Sequence, residues 1–349
     1  MKKRVLIGLD LIGNSFTGLG RTACSFSSEL AGTDQYACSF ILPKDYVSAN
    51  LTNYPSIRLN WHSKLFALGL EHYDLCHILH PFPNYKISGA KRIVLTIHDL
   101  NFLYIRKAAK QKKYCRRIQR LIDRADAVCF ISESTRRDCL KHLSFSSSQL
   151  LKVIYNGVDA LAPASARPQW CPPGPFLFAL GQFTPNKNFK TLIAMMRELP
   201  SLHLVIAGIN ASKIGDEIRE EIKKYGLGEQ ITLPGSISEG EKSFLYEFCE
   251  AFVFPSIAEG FGIPVLEAMK CGKPVFCSSI QCMKEIGSDY ACYWEHFEPC
   301  YMARRVLEWS EEKAGDEEWL TRMKQYADSY SWKRNVQEYL KVYHELLDS

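Results

Sequence analysis

Two glutamates with seven residues between them bracket a glycine loop in Phe254-Pro255-Ser256-Ile257-Ala258-Glu259-Gly260-Phe261-Gly262-Ile263-Pro264-Val265-Leu266-Glu267. An apolar run gives out at Pro255, and Pro264 suits the first residue of a helix, where its missing N–H would be unpaired anyway. Gly260 and Gly262 let the backbone approach a ligand closely. The amides of Gly260, Phe261, Gly262 and Ile263 therefore suit a phosphate at the helix start. Glu267 is expected in the first helical turn, its carboxylate able to accept two ribose hydroxyls. Glu259 lies across the loop, where it would hold sugar hydroxyls. A helix dipole favours carboxylates near its start for no functional reason at all. The whole strand–Glu–Gly-x-Gly–Pro–Glu package is what argues for a ligand.

Such residues need strands that end together. Apolar runs bounded by turn residues predict strands at Val5–Asp10, Ala37–Leu42, Leu75–Leu79, Ile93–Ile97, Ala127–Ile131 and Lys152–Tyr155. A glycine-rich loop with Gly18 and Gly20 follows the first run and opens a helix near Arg21–Leu30. Cys24-Ser25 break the glycine pattern of a dinucleotide fingerprint. His98 closes the run Ile93–Ile97, at the carboxyl edge where open α/β sheets bind ligands, with Asp99 suited to capping the next segment. Five prolines then crowd Ala162–Pro175, which predicts a linker. Beyond it strands are expected at Phe176–Leu180, His203–Gly208, Ile231–Leu233, Ala251–Phe254 and Pro274–Cys277. Helical patterns fill Phe297–Trp309, Glu317–Ser329 and Trp332–Leu347. The expectation is two doubly wound α/β domains.

Glu259 and Glu267 match the Glu-x7-Glu motif of the family-four retaining glycosyltransferases, and the chain resembles that family over nearly its whole length. Gly18-Leu19-Gly20-Arg21 resembles the N-terminal glycine loop, and Thr96-Ile97-His98-Asp99 the segment with a catalytic-site histidine. Ser132-Glu133-Ser134-Thr135 and Asn156-Gly157-Val158-Asp159 match segments late in the N-terminal domain. Gly181-Gln182-Phe183-Thr184-Pro185-Asn186-Lys187-Asn188 occupies the place of the phosphate-binding loop that opens the second domain. The resemblance implies the GT-B fold, two Rossmann-like domains facing a central cleft. Residues 1–165 would bind acceptor, residues 172–329 would bind a nucleotide sugar, and residues 331–349 would form a helix returning to the first domain.

It also implies front-face retaining transfer, with the leaving phosphate taking the acceptor proton and no metal or other cofactor bound. His98, Glu259 and Lys187 would then be catalytic. Gly18, Gly20, Gln182, Lys187, Gly260, Phe261, Gly262, Ile263 and Glu267 would hold the donor, and Asp99 and Arg21 the acceptor. Many members carry an arginine where this chain has Gln182. A glutamine cannot neutralise charge, so Lys187 and the loop amides would carry more of the diphosphate.

The charge is unevenly spread. The first 170 residues carry 24 Lys and Arg against 12 Asp and Glu, and the remainder 19 against 26. Lys107–Arg124 alone holds eight basic residues and one acid, with a partial apolar stripe through Tyr114, Ile118, Leu121 and Ile122. This is either a solvated helix face or a surface for anionic lipid headgroups. No nucleic-acid module is recognisable, so nucleic acid is not an expected partner. Thirteen scattered cysteines lack zinc spacing and suit a reduced compartment. Met1-Lys2-Lys3-Arg4 before Val5–Leu9 mimics a signal peptide but stops at Asp10, so a first strand and a cytoplasmic or peripheral protein are expected. The reading is a hexosyltransferase acting on a glycan or lipid-linked acceptor in surface polysaccharide or lipopolysaccharide synthesis. A sugar-nucleotide epimerase of related fold and an inactive GT-B binding module are the alternatives.

Overall fold

The computed structural model describes residues 2–13, 17–60, 67–69, 72–313 and 316–348. The chain forms two compact units, Met1–Gly157 with Tyr330–Ser349, and Val158–Ser329. In the first, β1 (Arg4–Gly8), β2 (Ala37–Leu42), β3 (Ser56–Arg58), β5 (Leu75–Ile78), β7 (Arg92–Ile97), β8 (Ala127–Phe130) and β9 (Leu150–Val153) form a seven-stranded sheet. Its order is β3-β2-β1-β5-β7-β8-β9, and every adjacent pair is parallel. Helices cover both faces, so the strands need apolar residues at successive positions rather than at alternate ones. Val5 and Ile7 pack with Phe26 on one side, while Leu6 packs with Ile97 and Ile118 on the other. Residues β4 (Ala67–Gly69) and β6 (Lys86–Ser88) make a separate parallel pair.

The second unit repeats the plan with β10 (Phe176–Leu180), β11 (His203–Ala207), β12 (Ile231–Gly235), β13 (Ala251–Phe254), β14 (Val275–Ser278) and β15 (Cys292–Trp294). Its order is β12-β11-β10-β13-β14-β15, again all parallel. Both are the doubly wound α/β arrangement that the sequence predicts. The strands it misses, β3, β4, β6 and β15, have three residues each. A run that short carries no periodicity.

Ala162–Pro175 is not a linker. The chain leaves the first unit at Gly157 and re-enters it at Tyr330, so the prolines belong to the second unit. Ser165 N–H donates to Gly240 O at 3.0 Å, and Trp170 Nε1–H reaches Glu241 Oε1 at 3.3 Å. Proline suits such a surface strap because its fixed φ lowers the cost of ordering it.

The helix Trp332–Leu347 completes the first unit. Ser331 caps it by accepting from Arg334 N–H, and Val336, Tyr339, Leu340 and Tyr343 join the core around Phe26. A Cβ on Gly157 would lie 2.3 Å from Trp332 N, so only glycine allows this approach. Beneath the helix runs a buried polar chain. His77 Nδ1 meets Tyr343 OH at 2.6 Å, His77 Nε2 meets Thr96 Oγ1 at 2.8 Å, and Thr96 Oγ1 meets Tyr339 OH at 2.9 Å.

Burial, with a smaller contribution from His98, pushes the His77 ring down to about 3. Burial likewise pushes His98 down to about 4. Both rings are neutral in the folded chain and titrate near 6.5 once unfolded. Their folded pKa values lie below the unfolded ones, so their contribution to stability is complete above about pH 6.5 and is lost as pH falls. Urea unfolding at pH 7 and pH 5 is expected to differ by roughly 4 kcal/mol on account of these two rings. A flat stability profile over that interval contradicts the assignment.

Candidate active site

In the second sheet the strand order reverses between β10 and β13, and such switch points open a crevice at the carboxyl edge. The loop after β10 carries Lys187 and the loop after β13 carries Glu259. Their Nζ and Oε1 atoms are 2.7 Å apart, with side chains 15% and 12% exposed. Lys187 Nζ also stands 4.5 Å from the centroid of the Phe254 ring. The two loops are stitched together, since Ile257 N–H donates to Asn186 O at 2.8 Å and Asn186 Nδ2–H donates to Ala258 O at 3.1 Å. The Pro185–Lys187 turn ends on Asn188 in the left-handed region, φ 53°, which asparagine tolerates. An ammonium has three donors, so two remain on Lys187 beyond the one Glu259 uses.

Gly262 adopts φ 110°, and a Cβ there would lie 2.7 Å from Met283 Cε. It begins the helix Ile263–Lys270 with no side chain capping the amides. Gly260 and Phe261 are buried beside it. Glu267 is not in the first turn. The helix starts at Ile263, with Pro264 its second residue, which puts Glu267 fifth and one turn inward. There the carboxylate is 5% exposed and already engaged: Lys242 Nζ lies 2.7 Å from Oε1, and Tyr246 OH donates to Oε2 at 2.9 Å. Sequence reasoning missed both partners. Gln182, by contrast, is exposed, and its carbonyl accepts from the Thr184 hydroxyl at 3.2 Å.

The first sheet reverses order between β1 and β5. A hollow at that edge is lined by Gly8, Leu9, Leu19, Thr22, His80 and His98 among others. His98 Nε2–H donates to Leu79 O at 2.7 Å, which assigns the tautomer and leaves Nδ1 an acceptor. The His98 carbonyl accepts from Thr135 Oγ1–H at 3.1 Å. Gly18 and Gly20 open the helix Gly18–Ala31, whose cap Thr17 accepts from Gly20 N–H at 3.1 Å, and Arg21 is half-buried one residue on. Asp99 accepts from Asn101 N–H at 2.8 Å and so braces the turn after the strand. Also missed were Asp10 and His80, buried and paired at 2.9 Å, with Asn84 N–H on the other Asp10 oxygen at 2.8 Å.

Removing one member of a mostly buried pair leaves the other charge uncompensated, whereas replacing both does not. Lys187→Met is therefore expected to cost roughly 3 kcal/mol in urea unfolding. Lys187→Met with Glu259→Gln should recover most of it. A double variant whose loss is the sum of the single losses would show that the two groups act separately.

Residues 26–160 match the family described as Glycosyltransferase Family 4, and residues 167–330 match Glycosyl transferases group 1. The O-antigen chain mannosyltransferase RfbU of Salmonella typhimurium is 25% identical over 315 residues, covering 83% of this chain and 86% of RfbU. The serotype-specific mannosyltransferase WbdA of Escherichia coli is 29% identical over 246 residues, 65% of this chain but 30% of the length of WbdA. Among solved structures, sucrose-phosphate synthase from Thermosynechococcus elongatus superposes with a TM-score of 0.76 at 17% identity, covering 99% of this chain and 100% of that one. Anabaena HepE, solved with UDP and glucose, gives 0.73 at 16% identity over 98% and 100%. Those two likenesses speak for the fold, and the two matched regions, one per Rossmann-like unit, speak for the family. The chain belongs to the glycosyltransferases of family 4, with the GT-B fold.

Proposed function

We propose that the chain is a retaining hexosyltransferase that moves a mannose- or glucose-type sugar from a nucleoside-diphosphate sugar to a glycan or lipid-linked acceptor. The setting would be surface polysaccharide or lipopolysaccharide synthesis, as the names of RfbU and WbdA suggest. The observation that carries the reading is the convergence of Lys187, Glu259 and the uncapped helix start at Gly262 on one sheet edge. The HepE complex with UDP and glucose lends support to a nucleotide-sugar donor.

In this reaction the bond from the anomeric carbon to the diphosphate breaks, and the acceptor oxygen bonds to that carbon on the same face. The acceptor proton passes to the departing diphosphate. No protein nucleophile is involved, so the chain works by positioning and by stabilising the charge that develops. Lys187 and the amides from Gly260 to Ile263 would meet that charge without a metal ion. Glu259 would accept from sugar hydroxyls and Glu267 from ribose hydroxyls. The neutral ring of His98 would offer Nδ1 to the transferred sugar, with Gly18 and Gly20 close by. Asp99 and Arg21 would face the acceptor.

A cation on the leaving group matters most as charge develops. Lys187→Ala is expected to lower turnover about 100-fold or more while the nucleoside portion binds nearly as before. Single-turnover rates and calorimetry on a panel of sugar nucleotides would test this. A loss of only a few-fold would move the phosphate site elsewhere.

No helix among the described residues is long and apolar enough to cross a membrane, and a lipid-linked acceptor would have to be met at its surface. The helix Ala108–Ile122 buries Ile118 and Ile122 and leaves Lys110, Lys112, Lys113, Arg116, Arg117 and Arg120 exposed. Basic residues near an anionic leaflet contribute about 1 kcal/mol each, and the attraction is screened within ~10 Å at 0.1 M salt. Neutralising Lys110, Lys113, Arg117 and Arg120 together is expected to release the chain from phosphatidylserine vesicles in co-sedimentation. Activity on a short soluble acceptor should survive. Equal binding by both proteins, or none by the wild type, leaves a solvated face.

A further inference from the structure

The helix Glu239–Phe248 is anchored by a capping box in which Ser238 and Glu241 serve each other's backbone. That anchor fixes its inward face, and Lys242 and Tyr246, one turn apart, both lie on it. Lysine is almost never buried unless paired, yet Lys242 is only 5% exposed. Its Nζ stands 2.7 Å from Glu267 Oε1 and 2.9 Å from Glu239 Oε2. Tyr246 donates to Glu267 Oε2 at 2.9 Å, and burial together with the Glu267 charge keeps the phenol protonated well above its ordinary range.

A carboxylate offers about four lone-pair positions, two on each oxygen. Lys242 takes one on Oε1 and Tyr246 takes one on Oε2. One acceptor position remains on each oxygen, which is what a vicinal diol requires. Apolar residues of similar volume would hold the fold at least as well as a buried ion pair, so packing alone gives no reason for a lysine here.

We infer that Lys242, assisted by Tyr246, is a positioning residue that holds the Glu267 carboxylate oriented to accept a ribose 2′,3′-diol, and thereby makes the site prefer ribonucleotides to 2′-deoxyribonucleotides. The inference rests on the donor-binding reading of Glu267 given above. Calorimetry on the full chain with GDP, UDP and their 2′-deoxy forms tests it. The wild type is expected to bind at least one ribonucleotide about tenfold or more tightly than its deoxy form, a hydrogen bond to a charged group being worth that much. Lys242→Met keeps the stem and removes the ammonium, and should bring the ratio within about threefold, mainly by weakening the ribonucleotide.

Lys242→Met combined with Glu267→Gln removes the unpaired buried charge, so thermal stability should return while the ratio stays collapsed. A Lys242→Met protein with lowered Tm and the wild-type ratio would overturn the inference, since a purely structural lysine behaves that way. Recovery of the ratio in the double variant would overturn it too. If Glu267→Ala leaves ribonucleotide affinity unchanged, or the wild type binds neither ribonucleotide, the donor-binding reading itself fails and takes this inference with it.

Discussion

A carboxylate withdrawn from water has to be met by a cation or it takes up a proton. The second unit is arranged around two such meetings. Glu259 is held by Lys187 from the loop after β10, and Glu267 by Lys242 from the helix Glu239–Phe248. In each case the partners come from elements far apart in sequence, so neither pair exists until the sheet has ordered them. The adjacency of β10 and β13 puts the first pair in place, and the packing of two helices puts the second. Ion pairs of this kind add little to stability over apolar residues of the same size. What they preserve is a pattern of fixed charge on a sheet edge.

Much of this was legible beforehand, because its signals are local. A run such as Ala251–Phe254 ending at Pro255, then glycines, then Pro264, can hardly fold otherwise than as strand, loop and helix. Lys242 was not legible, and the reason is physical. Between Glu239 and Glu241 on one side and Glu247 on the other, it reads as part of a solvated face laced by i,i+3 pairs. The signal that could have found it is phase: Lys242 falls on the same stripe as Leu245 and Tyr246, where an apolar residue is expected. Ala162–Pro175 misled for a related reason. Proline density reports that a segment is neither helix nor central strand, and says nothing about which body it lies on.

The corresponding edge of the first unit is built differently. Its buried titratable side chains there are neutral or internally compensated. The His98 and His77 rings are held uncharged by burial, and Asp10 is satisfied by His80 and by Asn84 N–H. Behind this edge Thr96, on β7 and two residues before His98, links His77 to Tyr339. The C-terminal helix thus braces the strand that presents His98, though helix and histidine lie more than two hundred residues apart in the chain. No local pattern could announce such a brace. Tyr339 and Tyr343 read as members of an apolar stripe, which they also are.

The two edges differ in their electrostatics. Ammonium groups paired with carboxylates lie on the second unit, whereas on the first His98 is neutral and Asp10 is paired with His80. Gln182 adds no charge to the second edge. An arginine there would spread positive charge over a wide guanidinium, whereas Gln182 is exposed and neutral. Lys187 is by contrast confined, between Glu259 and the face of Phe254. An ammonium so placed is a compact charge with a defined position, held by a ring face on one side and a carboxylate on the other. In the proposed chemistry, sugar hydroxyls that draw on Glu259 would strengthen Lys187 toward the diphosphate. Recognition of the transferred group and stabilisation of the leaving group would then be coupled through the one ion pair of Lys187 and Glu259.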